Sequence, residues 1–382
     1  MKKVLRILFF IAMLMPSVAW AQQASSDKIV ISDLQTDDDG TFFTVGLEGS
    51  LTYSALNMDI IFPEGVEVAY YDGEPDVAIN GPDNTVFPFS KDKKGNITWK
   101  HAVATSYGVI APRQLRIACY SDELAVFTAT SGDLFIIYVN VDNSVFAKSF
   151  SPKPIVKVSG IALIEQDATK HVPADFACRP FSTGIAAERE LPVNISASNQ
   201  VGTLILPFAA PLPDGVKAYT CNGVDEEEEG MLTLTPASSF EACKPYIVYA
   251  PQGYSGTVSG TVDMTAEYPL NDIYTDGLLT GVLTPTVVSD GYIMQNQGEG
   301  PMFYDAEGAN FSLNAGRCYL TPAQSASVKA YSFDFDQANA IEGVTDNKPA
   351  YVNGVIYDLT GRPVSAPAQG IYILNGKKIL VK

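Results

Sequence analysis

The chain is short of the residues from which recognisable chemistry is usually built. Histidine occurs twice in 382 residues, at His101 and His171, so histidine-based catalysis would have to start from those two positions. No HExxH, GxSxG, Walker or GxGxxG pattern is present, and Gly253-Tyr-Ser-Gly256 lacks the glycine spacing of a nucleophile elbow. Cysteine is absent before Cys119, which excludes a lipobox cysteine; Cys119, Cys178, Cys221, Cys243 and Cys318 form no CxxC pair, so no cysteine metal site is expected. Positive charge is scarce, with 25 Lys and Arg against 43 Asp and Glu. A chain at −18 repels nucleic acid and anionic membrane, so a nucleic-acid role is excluded. Long helical periodicity is missing as well. After the first twenty-odd residues no stretch reaches the roughly 18 uninterrupted apolar residues of a transmembrane helix.

What is present begins with an export signal. Lys2, Lys3 and Arg6 precede the apolar run Ile7–Met15, then Pro16 and the small-residue site Ala19-Trp20-Ala21, the layout of a cleaved secretory leader over residues 1–21. Removing it takes three basic residues and moves the net charge from −18 to −21. The acidity fits a solvated, colloidally stable exterior. The five cysteines leave at least one thiol unpaired in a monomer. Cys119 and Cys318 lie in apolar runs and read as small buried hydrophobes, while a Cys221–Cys243 bridge stays open on proximity in sequence alone.

The rest of the chain offers runs of about five to eight residues rich in Val, Ile, Phe, Tyr and Thr, separated by Gly, Pro, Asn and Asp, which predicts an all-β protein. A first sandwich is expected over 28–173, with strands such as Thr41–Leu47, Ala55–Phe62, Gln114–Tyr120, Asp133–Val141 and Ile155–Ile164. Leu56, Met58, Ile60 and Phe62 alternate with Asn57, Asp59 and Ile61, so one face packs inward and the other meets solvent. Residues 174–190 read as a linker, 191–336 as a second β domain, 337–350 as a polar linker and 351–382 as a small C-terminal β module. In that module Asn375-Gly376 suits a type I′ hairpin turn.

Two stretches carry family resemblances. Phe43–Leu47, Leu56–Val66, Leu115–Tyr120, Ser131–Val141 and Ile155–Ile164 make the first region similar to the cohesin-like (Ig-like) β-sandwich family, a fold shared with certain carbohydrate-binding modules. No dockerin sequence accompanies it. Val355–Pro363 and Gly370–Lys382 resemble the C-terminal sorting domain of the Por (type IX) secretion family. That resemblance implies contact with secretion machinery and delivery to the cell surface, outer membrane associated, or beyond it.

Candidate ligand-binding residues are aromatic. Tyr70 and Tyr71 precede the turn pair Asp72-Gly73, which predicts exposure. Trp99 is the one tryptophan left after the leader; an alternating strand gives it a core position, while an exposed indole would stack on a sugar's apolar face. Asp37–Asp39 and Glu226–Glu229 invite calcium, but Phe42 stands where an EF-hand loop needs glycine. Both runs read as solvated hairpin tips, and no metal ligand is assigned. Ser90–Trp99 has insertions that break the sialidase Asp-box spacing and reads as a turn entering a strand. No catalytic residue and no cofactor is expected. The chain therefore reads as an exported, cell-surface, non-catalytic binding or adhesion protein with a glycan or protein partner. A secreted hydrolase of glycans or glycoproteins, whose two distant carboxylates would leave no motif, and a structural subunit of a surface assembly are the alternatives.

Overall fold

A computed structural model of the chain describes residues 22–24, 26–83, 85–306, 308–321, 328–335, 356–364, 370–374 and 377–381. The leader over 1–21, the 337–350 linker and the Asn375-Gly376 turn lie outside the described residues. Contacts divide the chain into two compact units, one ending at Phe333 and one starting at Asp334.

The first unit opens with β1 (Gln22–Ala24), β2 (Lys28–Ile31), β3 (Gln35–Thr36), β4 (Thr41–Glu48), β5 (Ala55–Ile61) and β6 (Val66–Val68). There follow β7 (Tyr70–Tyr71), β8 (Glu74–Pro75), β9 (Val77–Ile79), β10 (Phe89–Lys91), β11 (Ile97–Trp99) and β12 (Ala102–Tyr107). The sandwich closes with β13 (Gln114–Tyr120), β14 (Gly132–Val141), β15 (Val156–Ile164), β16 (Lys170–Val172) and β17 (Phe176–Cys178). One sheet runs β1-β16-β15-β5-β13-β12 with β17 also on β15; the other runs β2-β4-β14-β6 with β3 on β4 and β9 on β14.

The alternation read from β5 is the reason the sheets stack. Leu56, Met58 and Ile60 are buried on one side and face Phe43, Val45 and Leu47 of β4 within one hydrophobic cluster. Phe43 and Phe62 bring their rings to 6.0 Å. Each such side chain contributes about 1.5–3 kcal/mol on burial, so these few rows account for much of the sandwich's stability. Pairing of β15 with β5 slips between Ser159 and Ala162, where Gly160 takes φ +61°. A bulge at that point needs a residue that tolerates the left-handed region.

The stretch 174–190 is laid against the sandwich. Phe176–Cys178 pairs with β15, the Leu34 N–H donates to the Pro180 carbonyl at 3.0 Å, and Thr183 Oγ1 donates to the Leu34 carbonyl at 2.7 Å. Glu188–Ile195 then forms a strand of its own, buried at every second residue and paired with Tyr254–Thr261. A second hydrophobic cluster gathers Leu191, Val193, Leu206, Phe208 and Val258, beside a ten-stranded sheet that runs between the edge strands Val201–Ile205 and Ile273–Asp276.

Polar and aromatic contacts join these regions. Arg179 donates to Asp272 at 2.7 Å, Ser151 Oγ donates to the other oxygen of Asp272 at 2.8 Å, and Asp272 is fully buried. Phe150 lies so close over Gly316 that a β-carbon there would sit 2.3 Å from the ring. The second unit holds a four-stranded sheet in the order Pro363–Val364, Ile356–Tyr357, Gly370–Leu374, Lys377–Val381. The chain is thus all-β: a two-sheet N-terminal sandwich, a second β region and a small C-terminal β module.

Candidate recognition surface

Tyr70 and Tyr71 form β7 and pair across Asp72-Gly73 with β8. Asp72 at φ +49° and Gly73 at φ +83° give the hairpin the two left-handed positions of a type I′ turn. A two-residue hairpin this tight holds both tyrosines at a tip, 56% and 77% exposed. Tyr70 leans its ring edge-on against Tyr107, 6.5 Å between centroids, and Tyr107 in turn meets Phe62 of the core at 6.1 Å. Burial pushes the Tyr107 hydroxyl's pKa up, and the charge of Glu67 adds to the shift. The loop that leaves Tyr107 carries Val109 and Ile110, 78% and 50% exposed. These two apolar residues gave no signal in the sequence; the tertiary contact of Tyr70 with Tyr107 brings the β7–β8 hairpin to the strand end from which their loop leaves.

Trp99 stands elsewhere. It pairs with Phe89 across the β10–β11 hairpin, with rings at 5.3 Å, and is half-buried against the sandwich core. Tyr107 closes β12 while Trp99 precedes its start, so about 17 Å of strand separates the two ends. The structure brings Tyr70 and Tyr71 together and leaves Trp99 apart. The Lys93–Asn96 segment between β10 and β11 is a turn, drawn together by Asp92, which accepts from the N–H groups of Lys94 and Asn96 and from the Asn96 amide.

The acidic runs are hairpin tips. Asp37 accepts from the N–H groups of Asp39 and Gly40 and from the Tyr138 hydroxyl at 2.9 Å. Asp225 accepts from the N–H groups of Glu227 and Glu228. All five cysteines are free thiols, and burial pushes Cys318 up to about 12, which makes it a poor nucleophile.

The outer face of the first sheet is a second surface of note. Register places Ala104 beside Ala118 and Ser106 beside Arg116. The same register sets Arg116 beside Asp59, and Asp59 beside Ser159. Arg116 clasps Asp59 with two hydrogen bonds of 2.6 Å. Register thus sets alanine and serine side chains next to a fixed ion pair on this face. Asp59, which alternation assigns to solvent, is 7% exposed because the guanidinium lies on it.

No family model matches the chain, and no curated protein sequence does. Among solved structures, a novel type I cohesin–dockerin complex from Clostridium thermocellum aligns at 11% identity and a TM-score of 0.26, over 43% of this chain and 96% of that one. The second type II cohesin module of an adaptor scaffoldin from Acetivibrio cellulolyticus aligns at 11% identity and 0.24, over 39% and 95%. The type II cohesin dyad of the same scaffoldin covers 80% of this chain and 97% of its own at 8% identity and 0.24. Superpositions this loose carry no argument about partner or activity. No helix among the described residues is long and apolar enough to cross a membrane.

Proposed function

We propose that this is an exported, non-catalytic binding protein whose N-terminal sandwich engages a protein partner through the apolar end formed by Tyr70, Tyr71, Val109 and Ile110. The observation that carries this reading is the exposure of Tyr70, Tyr71, Val109 and Ile110, between 50% and 78%, on a sandwich whose other exposed large apolar side chains among the described residues, Leu51 and Leu124, lie on separate loops. Contiguous exposed apolar groups of this kind mark interaction sites, and tyrosines contribute contact area at low entropic cost. Residues 28–173 serve as the binding module, 191–336 as a second module, and 351–382 as a sorting element read by secretion machinery after the 1–21 leader has directed export. Trp99, half-buried against Phe89, takes a supporting part in this reading, which favours a protein over a glycan.

Binding of the purified, dye-labelled mature chain to intact cells of the source species provides the test. Expected are saturable binding lost after protease treatment of the cells, and a drop of about tenfold or more in affinity for Tyr70→Ala/Tyr71→Ala. Binding that survives protease and disappears after glycan removal would replace the protein partner by a glycan. Undiminished binding of the double variant would remove this end of the sandwich from the proposal.

A further inference from the structure

A cleft of about 1010 Å³ lies between the sandwich and the second β region. Lys148, just after the short helix Asn143–Phe146, and Lys157 of β15 line one side, both exposed. Leu270 and Val287, 50% and 63% exposed, line the other. Its floor is fixed, because Ser151 lines the cleft while holding the buried Asp272 that Arg179 also grips. The single carboxylate in the lining is Glu64.

Charge sets this cleft against the rest of the molecule. In a chain at −18, two lysines share one cavity wall, and among the described residues neither is in an ion pair. The geometry points to an extended acidic peptide segment with aliphatic side chains as the occupant: its carboxylates would meet Lys148 and Lys157, and its apolar side chains Leu270 and Val287. A second feature favours peptide over sugar. Thr286–Val288 pairs only with Phe311–Leu313 among the described strands, so its other edge is unpaired, and both Thr286 and Val287 line the cleft. An extended backbone can add to such an edge through main-chain hydrogen bonds. A sugar ring would need an exposed aromatic platform, whereas the one aromatic residue in the lining, Phe146, is 1% exposed.

Fluorescence polarisation of the full mature chain with a labelled octapeptide alternating aspartate and leucine tests the assignment. The acidic peptide is expected to bind, to weaken as salt rises from about 0.05 to 0.5 M, and to bind about tenfold more weakly to Lys148→Glu/Lys157→Glu. A lysine–leucine octapeptide should not bind. Leu270→Ser/Val287→Ser, which leaves the charges in place, should also weaken binding, and circular dichroism melts establish that each variant is folded. Tyr70→Ala/Tyr71→Ala should leave this binding unchanged, so failure at the cleft and failure at the sandwich end are read separately. Equal affinity for the charge-reversed variant, or binding of oligogalacturonate in place of the peptide, would overturn the proposal. So would salt-sensitive self-association in sedimentation that the charge reversal abolishes, since a second copy would then be the occupant.

Discussion

His101 shows how far a single side chain's fate depends on partners remote in sequence. Its ring lies 5.2 Å from both Phe87 and Phe127, and its Nε2–H donates to the Ser54 carbonyl at 3.1 Å. Burial favours the neutral ring and lowers the pKa below 6.5, a shift that the Ser54 carbonyl partly offsets. Above pH about 6.5 the ring is neutral both folded and unfolded. Below it the unfolded chain takes up a proton that the folded chain resists, so this residue's share of stability is lost as pH falls toward the folded value. Urea midpoints between pH about 7.5 and 5 should therefore drop less for His101→Gln than for the native chain. The burial of His101 is not readable from its own stretch of sequence, because both flanking phenylalanines come from other segments. Asp59 follows the same logic: alternation turns it outward, and Arg116, 57 residues away, covers it.

Elements with strong apolar alternation were legible, and weak or punctuated ones were not. The rows of β4, β5, β13, β14 and β15 follow from their side chains. β12 escapes notice because Ala102-Val-Ala-Thr-Ser-Tyr107 has little hydrophobic contrast, yet pairing with β13 over its full length makes it a strand. Glu188–Ile195 escapes as one strand because the charged Glu188-Arg-Glu190 reads as the end of the 174–190 linker. Among the described strands it pairs with one only, and Pro192 is tolerated on such an edge. The turn between β7 and β8 was legible from Asp72-Gly73 itself, though the strand pairing around it was not. A β-carbon at Gly73 would meet nothing within 4 Å, so Gly73→Ala isolates the backbone cost of φ +83°. Thermal unfolding should show a loss of about 1 kcal/mol with the rest of the sandwich intact.

At the scale of the molecule, what sequence reading could not supply is the junction. Nothing local pairs Arg179 with Asp272, since burial and a 93-residue separation create the interaction. Burial raises the Asp272 carboxyl's pKa, while Arg179 and Ser151 pull it down. Removing one member of a buried pair strands the other charge, so Asp272→Ala should cost about 3–5 kcal/mol in chemical denaturation. Asp272→Ala/Arg179→Met, which removes both charges, should recover much of that loss. An unchanged unfolding free energy for Asp272→Ala would mean that the junction contributes nothing.

The seat that Gly316 provides for Phe150 has a practical corollary. A fragment cut out as residues 28–173 would keep the phenyl ring and lose the glycine beneath it, and Ser151 would face water without its carboxylate. Such an excised sandwich should be stickier and less soluble than the parent chain, so recombinant work on its recognition end is better done with the second β region still attached.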